Sequence, residues 1–277
     1  MTDASRQAAS DWWRTEIIDI EPGVIRMRGY PIEQLIGNID FPQMIWLLLR
    51  GDLPSKEEAA LLGHMLVAGV DHGPHAPSIA IARIAATCGV GINNAVASAA
   101  NVLGDVHGGA GEQTMEIMAD IDARTGKGEA LEDAVRAVLD DYQARVTKYV
   151  PGFGHRFHPR DPRGPRLLGL VEEAAAAGHV SGRFAKIGRA IEADLERRSG
   201  RHLTMNIDGS GAVVLSELGF APVLGRGLFV LSRSVGILAH AWEQTQQGGR
   251  NKGPIPRDFP YTYAGHPPRD LKGATTR

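Results

Sequence analysis

Cysteine occurs once in 277 residues, at Cys88, which excludes a disulfide framework and a thiolate-rich metal cluster. Set inside an apolar run, Cys88 reads as a small core residue. Neither sign of charge dominates. Thirty Lys and Arg against 32 Asp and Glu leave a net charge of −2, so neither nucleic acid nor a membrane surface is expected as a partner. Apolar runs are short, and residues 44–49 fall well below the roughly 20 residues of a bilayer span. The first ten residues are polar and hold no apolar h-region, so no secretory signal is expected and the expected location is cytoplasmic. Internal repeats and low-complexity segments are absent as well. What is left, 43% hydrophobic and 22% charged, suits a globular chain of one large domain or two modest ones.

The hydrophobic pattern is mostly of helical period. Ile17-Ile18-Asp19-Ile20 and Val24-Ile25-Arg26-Met27-Arg28 flank a Glu21-Pro22-Gly23 turn, which predicts a small β-hairpin. A helix is expected to start at Pro31. Residues 41–49 read as a buried helix closed by Arg50-Gly51, and Ser55-Lys56-Glu57-Glu58 has capping-box spacing ahead of residues 59–70. Residues 77–90 and 93–103 are Ala-rich and apolar all round, which predicts helices deep in a core. Helical spacing returns at Leu131, Val135, Val138, Leu139, Tyr142 and Val146, and at Phe184, Ile187, Ile191 and Leu195 behind a Ser181 cap. Residues 213–218 and 228–242 complete the set. The expected fold class is all-α with one small N-terminal hairpin.

Against this background the run Gly152-Phe153-Gly154-His155-Arg156-Phe157-His158-Pro159-Arg160-Asp161-Pro162-Arg163 stands out. Its glycines and prolines make it a loop, and its basic residues suit an anion. Other polar residues also fit a packed core poorly. Asp71-His72-Gly73 interrupts two apolar helices, His107 precedes two glycines, Asp208 stands at the mouth of a helix, and Arg233 and His240 lie in an apolar helix. Each has a plain structural explanation: Asp208 as a helix N-cap, His107 and His240 as satisfied core histidines. Together they suggest more. Glycine beside a histidine leaves the imidazole open to a ligand, Asp208 is a candidate base, and the histidines can polarise or protonate a carbonyl. Arg163 and Arg233 have the forked donors that clamp carboxylates. This inventory suits proton abstraction next to a carbonyl and addition to a dicarboxylic oxo acid. A metal would be the rival use of His72, His107, His155 and Asp208. No His-x-x-x-His pair supports it and Arg163 would repel a cation, so no metal is expected.

At these residues the chain resembles the citrate synthase family. The run from Ile18 through Tyr30-Pro31-Ile32 to Leu35, followed by Gly51-Asp52-Leu53-Pro54, is similar to the opening hairpin and helix of bacterial members. His107-Gly108-Gly109-Ala110 and Gly152-Phe153-Gly154-His155 with Asp161-Pro162-Arg163 resemble the two catalytic-histidine motifs. Asn206-Ile207-Asp208 with Ser210-Gly211 resembles the catalytic-aspartate motif, and Ser232-Arg233 through His240 the late helix. The resemblance implies an all-α, two-domain citrate synthase-like fold, with residues 1–108 and 219–277 in a large helical domain and 109–218 in a small one. It implies Asp208, His107 and His155 as catalytic residues, His72, Arg163 and Arg233 as binders of the oxo acid, and Arg201 and Arg160 as contacts to CoA. Asp208 is expected to be ionised at neutral pH. Acetyl-CoA and oxaloacetate are the implied substrates, with CoA as co-substrate, no bound cofactor, and a homodimer as the assembly.

The chain departs from the full-length pattern in three places. The segment from Gly51 to His72 is short, as in citryl-CoA lyases, and the loop from His155 to Arg163 is one residue shorter. Where synthases place an Arg-Pro pair reaching into the neighbouring subunit, this chain has Ile255-Pro256-Arg257, with Arg250 or Arg257 as replacements. The expected chemistry is synthase or citryl-CoA lyase. The alternative is a non-catalytic acyl-CoA or 2-oxo-acid binding protein on the same scaffold.

Overall fold

The computed structural model describes residues 2–155, 158, 160–253, 255–256 and 258–268. The chain opens with helix α1 (Asp3–Trp12) in place of the expected polar tail. Thr2 caps it through its hydroxyl, and none of its residues is buried. The hairpin follows as β1 (Ile18–Glu21) and β2 (Val24–Met27), paired antiparallel with Glu21 opposite Val24, so Pro22-Gly23 is a two-residue turn. A short β3 (Tyr30–Pro31) adds to β2. Pro31 is therefore the residue before α2 (Ile32–Leu35), not its first.

From here the described chain is helical. The sequence signals are found where capping chemistry predicts them. In α3 (Phe41–Arg50), Asp40 and Gln43 form a capping box and Gly51 closes the helix in the left-handed conformation at φ 96°. In α4 (Lys56–Gly69), Ser55 and Glu58 do the same. Then come α5 (Pro77–Ala86), α6 (Ile92–Ala100), α7 (Ala110–Thr125), α8 (Leu131–Arg145) and α9 (Arg163–Ala176). The last three are α10 (Arg183–Ser199), α11 (Ile207–Glu217) and α12 (Pro222–Gln247). Ser181 stands one residue before the N-cap of α10, Gly182, and its hydroxyl accepts the N–H of Arg183 at 3.2 Å. Its hydroxyl donates to Glu217, whose carboxylate also accepts the N–H groups of Gly182, Phe184 and Ala185 and so caps the helix from another element.

The main core gathers Leu62, Met118, Ile121, Leu139, Ile191 and Val213, all fully buried, each worth about 1.5–3 kcal/mol of transfer free energy. At its centre lies α11, buried on every side from Gly209 to Ser216 and packed by α4, α7, α9 and α10. Glycine, serine and alanine keep its surface small enough for that. A second, thinner cluster joins Ile79, Ala82, Ala95, Ala99, Ile237 and Ala241 of α5, α6 and α12. Burial of α5 and α6 is one-sided, contrary to the expectation from their all-round apolarity. Alanine is small enough to fill the inner face, while Val90 and Ile92 are exposed. Cys88, expected in the core, is also exposed, just beyond the end of α5. By length and composition α12 is apolar enough to cross a membrane, a property that core helices share.

Candidate active site

The ends of four helices meet around one cavity of about 370 Å³. Its walls include all six residues expected to do the chemistry or hold the oxo acid: His72, His107, His155, Arg163, Asp208 and Arg233.

Asp208 is the second residue of α11, and it is not the cap. Asn206 is, accepting the N–H groups of Asp208 at 2.9 Å and Gly209 at 3.2 Å. The Asn206 amide also donates to Gly154 O at 2.7 Å, tying the helix to the basic loop. Among the described residues the Asp208 carboxylate takes no side-chain hydrogen bond. Burial pushes its pKa up, against the opposing pull of Arg233 and Arg163. The direction is opposite to that of a simply acidic carboxylate, and it makes a stronger base than an exposed Asp.

Main chain packs on main chain here. A Cβ on Gly209 would lie 2.3 Å from Gly152 O, and one on Gly164 would lie 2.3 Å from Met205 O. Only glycine permits such approaches. Phe153 and Met205 form a β-bridge, and Gly154 N donates to Thr204 O at 2.8 Å.

His107 follows a glycine-bounded loop and reaches the start of α5. Its Nε2 accepts from the backbone N–H of Ser78 at 3.2 Å and lies 3.0 Å from the Ser78 hydroxyl. A backbone N–H can only donate, and in the first turn of a helix it has no acceptor of its own. Burial, reinforced by the charge of Arg233, lowers the His107 pKa. The ring is therefore a neutral imidazole with its proton on Nδ1. Gly109, the residue before α7, is needed here because a Cβ on it would lie 2.8 Å from Asp105 Cα.

Both arginines anchor on the C-terminal carbonyls of α4. Arg233 Nε donates to Gly69 O at 3.1 Å and Arg163 Nη1 to Ala68 O at 3.5 Å, where the helix dipole favours a cation. Arg233 is almost fully buried and stacks on Phe229. Arg163 is gripped by Asp161, which accepts from its Nε at 2.9 Å and its Nη2 at 2.8 Å. Asp161 also accepts the Ile207 N–H at 3.0 Å, so one buried carboxylate joins α9 to the start of α11. Burial alone would raise its pKa, but the bonds from Arg163 outweigh that and hold it low.

His72 and His155 face each other with ring centroids 5.0 Å apart. Burial lowers the pKa of both. The backbone N–H of His158 donates to His155 Nδ1 at 3.0 Å, which leaves the proton of a neutral His155 on Nε2. Ligand nitrogens of His72, His155 and His158 lie within 4.8 Å of one another, closer to a metal set than the residues weighed from sequence. Two features oppose that use: the proton on His155 Nε2 and the two guanidiniums on the same cavity. The donor set suits an anion.

The expected CoA contacts lie elsewhere. Arg201 lines a second cavity of about 750 Å³ with Lys148, Phe153 and Arg198. Arg160 is exposed and lines neither cavity. Arg250 is exposed, and Arg257 lies outside the described residues. Sequence reading gave no role to Ser78, Asp161 or Asn206. The signals available were Asp161 within its Asp-Pro-Arg run and Asn206 at the head of the Asn206-Ile207-Asp208 motif; Ser78 had none. Ser78 acts on His107, 29 residues away in sequence.

This combination is a base of raised pKa, a neutral imidazole donor and two fixed cations. It can take a proton from carbon next to a carbonyl and stabilise the oxygen that gains charge. Comparison with known proteins points the same way. A family model described as citrate synthase, C-terminal domain, matches residues 6–66 and 55–257. The citrate synthase of Acidithiobacillus ferridurans is 28% identical over 202 residues, 71% of this chain and 50% of that protein. The chain thus spans about half the length of the curated relatives it matches. Among solved structures, citryl-CoA lyase from Hydrogenobacter thermophilus superposes with a TM-score of 0.80 at 31% identity, covering 94% of this chain and 97% of that one. ATP citrate lyase from Methanothrix soehngenii, in complex with citrate and coenzyme A, shares the fold at a TM-score of 0.73. Its identity is 20%, over 96% of this chain and 45% of that one. With the family model matched over most of its length, the chain belongs to the citrate synthase family.

Proposed function

We propose that this chain makes or breaks the carbon–carbon bond between acetyl-CoA, or a related acyl-CoA, and oxaloacetate. The observation that carries the proposal is the convergence of Asp208, His107, His155, His72, Arg163 and Arg233 on one cavity. In the condensing direction Asp208 takes a proton from the acyl methyl carbon. The electron pair moves onto the thioester oxygen, where the Nδ1–H of His107 stabilises the enolate. The enolate carbon attacks the ketone of oxaloacetate, whose oxygen accepts a hydrogen bond from Nε2–H of His155 and, as the alkoxide forms, takes that proton. Solvent replaces it on His155 while Asp208 gives its proton up to solvent, so the proton lost by carbon balances the one gained by oxygen. Arg163, Arg233 and His72 hold the carboxylates. Cleavage reverses these steps, with Asp208 returning the proton to carbon. A neutral donor at His107 fits because a shared, developing charge needs a placed donor and not a full cation.

Cleavage of citryl-CoA is the better supported direction, on the TM-score of 0.80 and 31% identity with the Hydrogenobacter lyase. CoA laid across the loop that carries Phe153 and His155 would bring its phosphates to Arg201. The thin α5–α6–α12 cluster, with Leu238 and Trp242 exposed beside it, supports a homodimer that covers this face. A stable monomer in sedimentation at micromolar concentration would contradict the dimer. Residues 109–218 are proposed as the smaller unit that closes on the rest.

The deciding experiment supplies citryl-CoA and, separately, acetyl-CoA with oxaloacetate, following acetyl-CoA and free thiol. Acetyl-CoA from citryl-CoA means cleavage, and thiol release means thioester hydrolysis as in a synthase. Binding of substrates without either product would favour the non-catalytic alternative.

A further inference from the structure

Behind Arg233, on the oxo-acid side of the cavity, runs a row of four polar side chains that the proposed mechanism does not use. Arg83 on α5 donates through Nη1 to Glu243 at 2.5 Å and lies 3.2 Å from Nδ1 of His240, both on α12. A guanidinium has no lone pair to offer, so His240 Nδ1 is the acceptor and its ring proton lies on Nε2. That nitrogen lies 3.2 Å from Asp71 Oδ2 and donates to it. The other oxygen of Asp71 is buried without a hydrogen-bond partner. It packs against Gly236, where a Cβ would lie 3.2 Å from Asp71 Oδ1 and 2.2 Å from Val70 O. Asp71 is the residue before His72, the backbone N–H groups of His72 and Gly73 face its carboxylate, and its charge acts on Arg233. The row therefore alternates in sign from the surface inward: Glu243, Arg83, neutral His240, Asp71, Arg233.

We propose that Asp71, held by His240, is a positioning residue for the oxo acid: it sets the backbone of His72 and counters the charge of Arg233, so that both meet the substrate carboxylates in one fixed geometry. His240 acts only through Asp71. This goes beyond a satisfied core histidine, since the donor of His240 is aimed at the loop that carries His72. It rests on the functional reading above and assigns to two further residues the affinity for one of the two substrates.

The test is calorimetric binding of oxaloacetate and, separately, of acetyl-CoA, which requires no turnover. His240→Leu removes the donor, and His240→Gln restores an N–H near the position of Nε2. Loss of a partly buried hydrogen bond to a carboxylate should weaken oxaloacetate binding by about tenfold. Acetyl-CoA affinity should stay within about twofold, and His240→Gln should recover most of the loss. Adding His240→Leu to Asp71→Asn should cost little beyond Asp71→Asn alone, because the two act as one unit. Unchanged oxaloacetate affinity in folded His240→Leu overturns the inference, as does equal loss for both ligands or full additivity with Asp71→Asn. If the wild-type protein binds no oxaloacetate, the functional reading falls and this inference with it.

Discussion

Replacing Asp208 with Asn tests both the chemistry and the local architecture. Asn keeps the size of the side chain and cannot take a proton from carbon. A positioned general base contributes roughly 10²–10⁴-fold, or about 2.7–5.5 kcal/mol of barrier, so turnover of citryl-CoA should fall at least a hundredfold. Stability should move the other way. The carboxyl has its pKa raised above the ordinary 3.8 by burial, so above pH 3.8 the unfolded chain loses this proton first. The native state then holds more protons, and its stability falls as pH rises through the folded pKa. Asp208→Asn removes that penalty, so its Tm should match or exceed wild type at neutral pH, by a margin that widens as pH rises from about 4. The neighbouring Asn206→Ala should do the opposite. It removes the cap of α11, costing about 1–2 kcal/mol and lowering Tm by roughly 2–4 °C per kcal/mol. Scanning calorimetry at several pH values, beside an acetyl-CoA assay, separates the two. Near-normal turnover in Asp208→Asn, or a Tm loss like that of Asn206→Ala, would refute the assignment of Asp208 as a base of raised pKa.

Three more outcomes are expected. Ser78→Ala keeps the backbone N–H that fixes His107 but loses the hydroxyl at 3.0 Å; kcat should drop by about tenfold or less with substrate affinities unchanged, and steady-state kinetics reads the split. Asp161→Asn leaves Arg163 without its charge partner and weakens the link to Ile207; denaturant titration should show a loss of about 3 kcal/mol or more, with oxaloacetate binding weakened. Glu217→Ala strips the external cap from α10 and, with several bonds to a carboxylate lost, should cost about 2 kcal/mol while kcat is retained. A Glu217→Ala protein as stable as wild type would show that water caps α10 equally well.

Short-range chemistry was legible in the sequence. The capping box at Ser55 and the Pro22-Gly23 turn each act within four residues and formed as expected, and the box at Asp40 is of the same short range. The six residues of the cavity were named because each lies in a compact motif, and the structure brings all six together. What escaped depends on distant partners. The helical pattern of α11 showed only from residue 213, because Gly209-Ser210-Gly211 is flexible in isolation, yet small residues are what a helix enclosed on every side requires. The same long-range dependence hid Glu217 as the cap of α10. Apolarity overstated the burial of α5, α6 and Cys88, since composition does not say which face another element covers. Arg160 and Arg201 were expected from the resemblance alone, and the fold puts Arg160 on the open surface and Arg201 in a second cavity.

The contact between Gly152 and Gly209 has a consequence for how this site tolerates change. Side chains absorb error by switching rotamers, but a carbonyl abutting a peptide unit has no rotamer to switch. Substitutions on α8 or α10 can be accommodated by their neighbours before any displacement reaches Asp208. One residue inserted or removed between Val150 and Gly154 has no such buffer. It would shift His155 and Asp208 against each other by a large fraction of the 3.8 Å Cα spacing, with the helical core still intact. In a library screened for expression alone such length variants would survive. Screened for turnover, they would vanish, and the permitted length of this loop would emerge as a ruler built into the backbone.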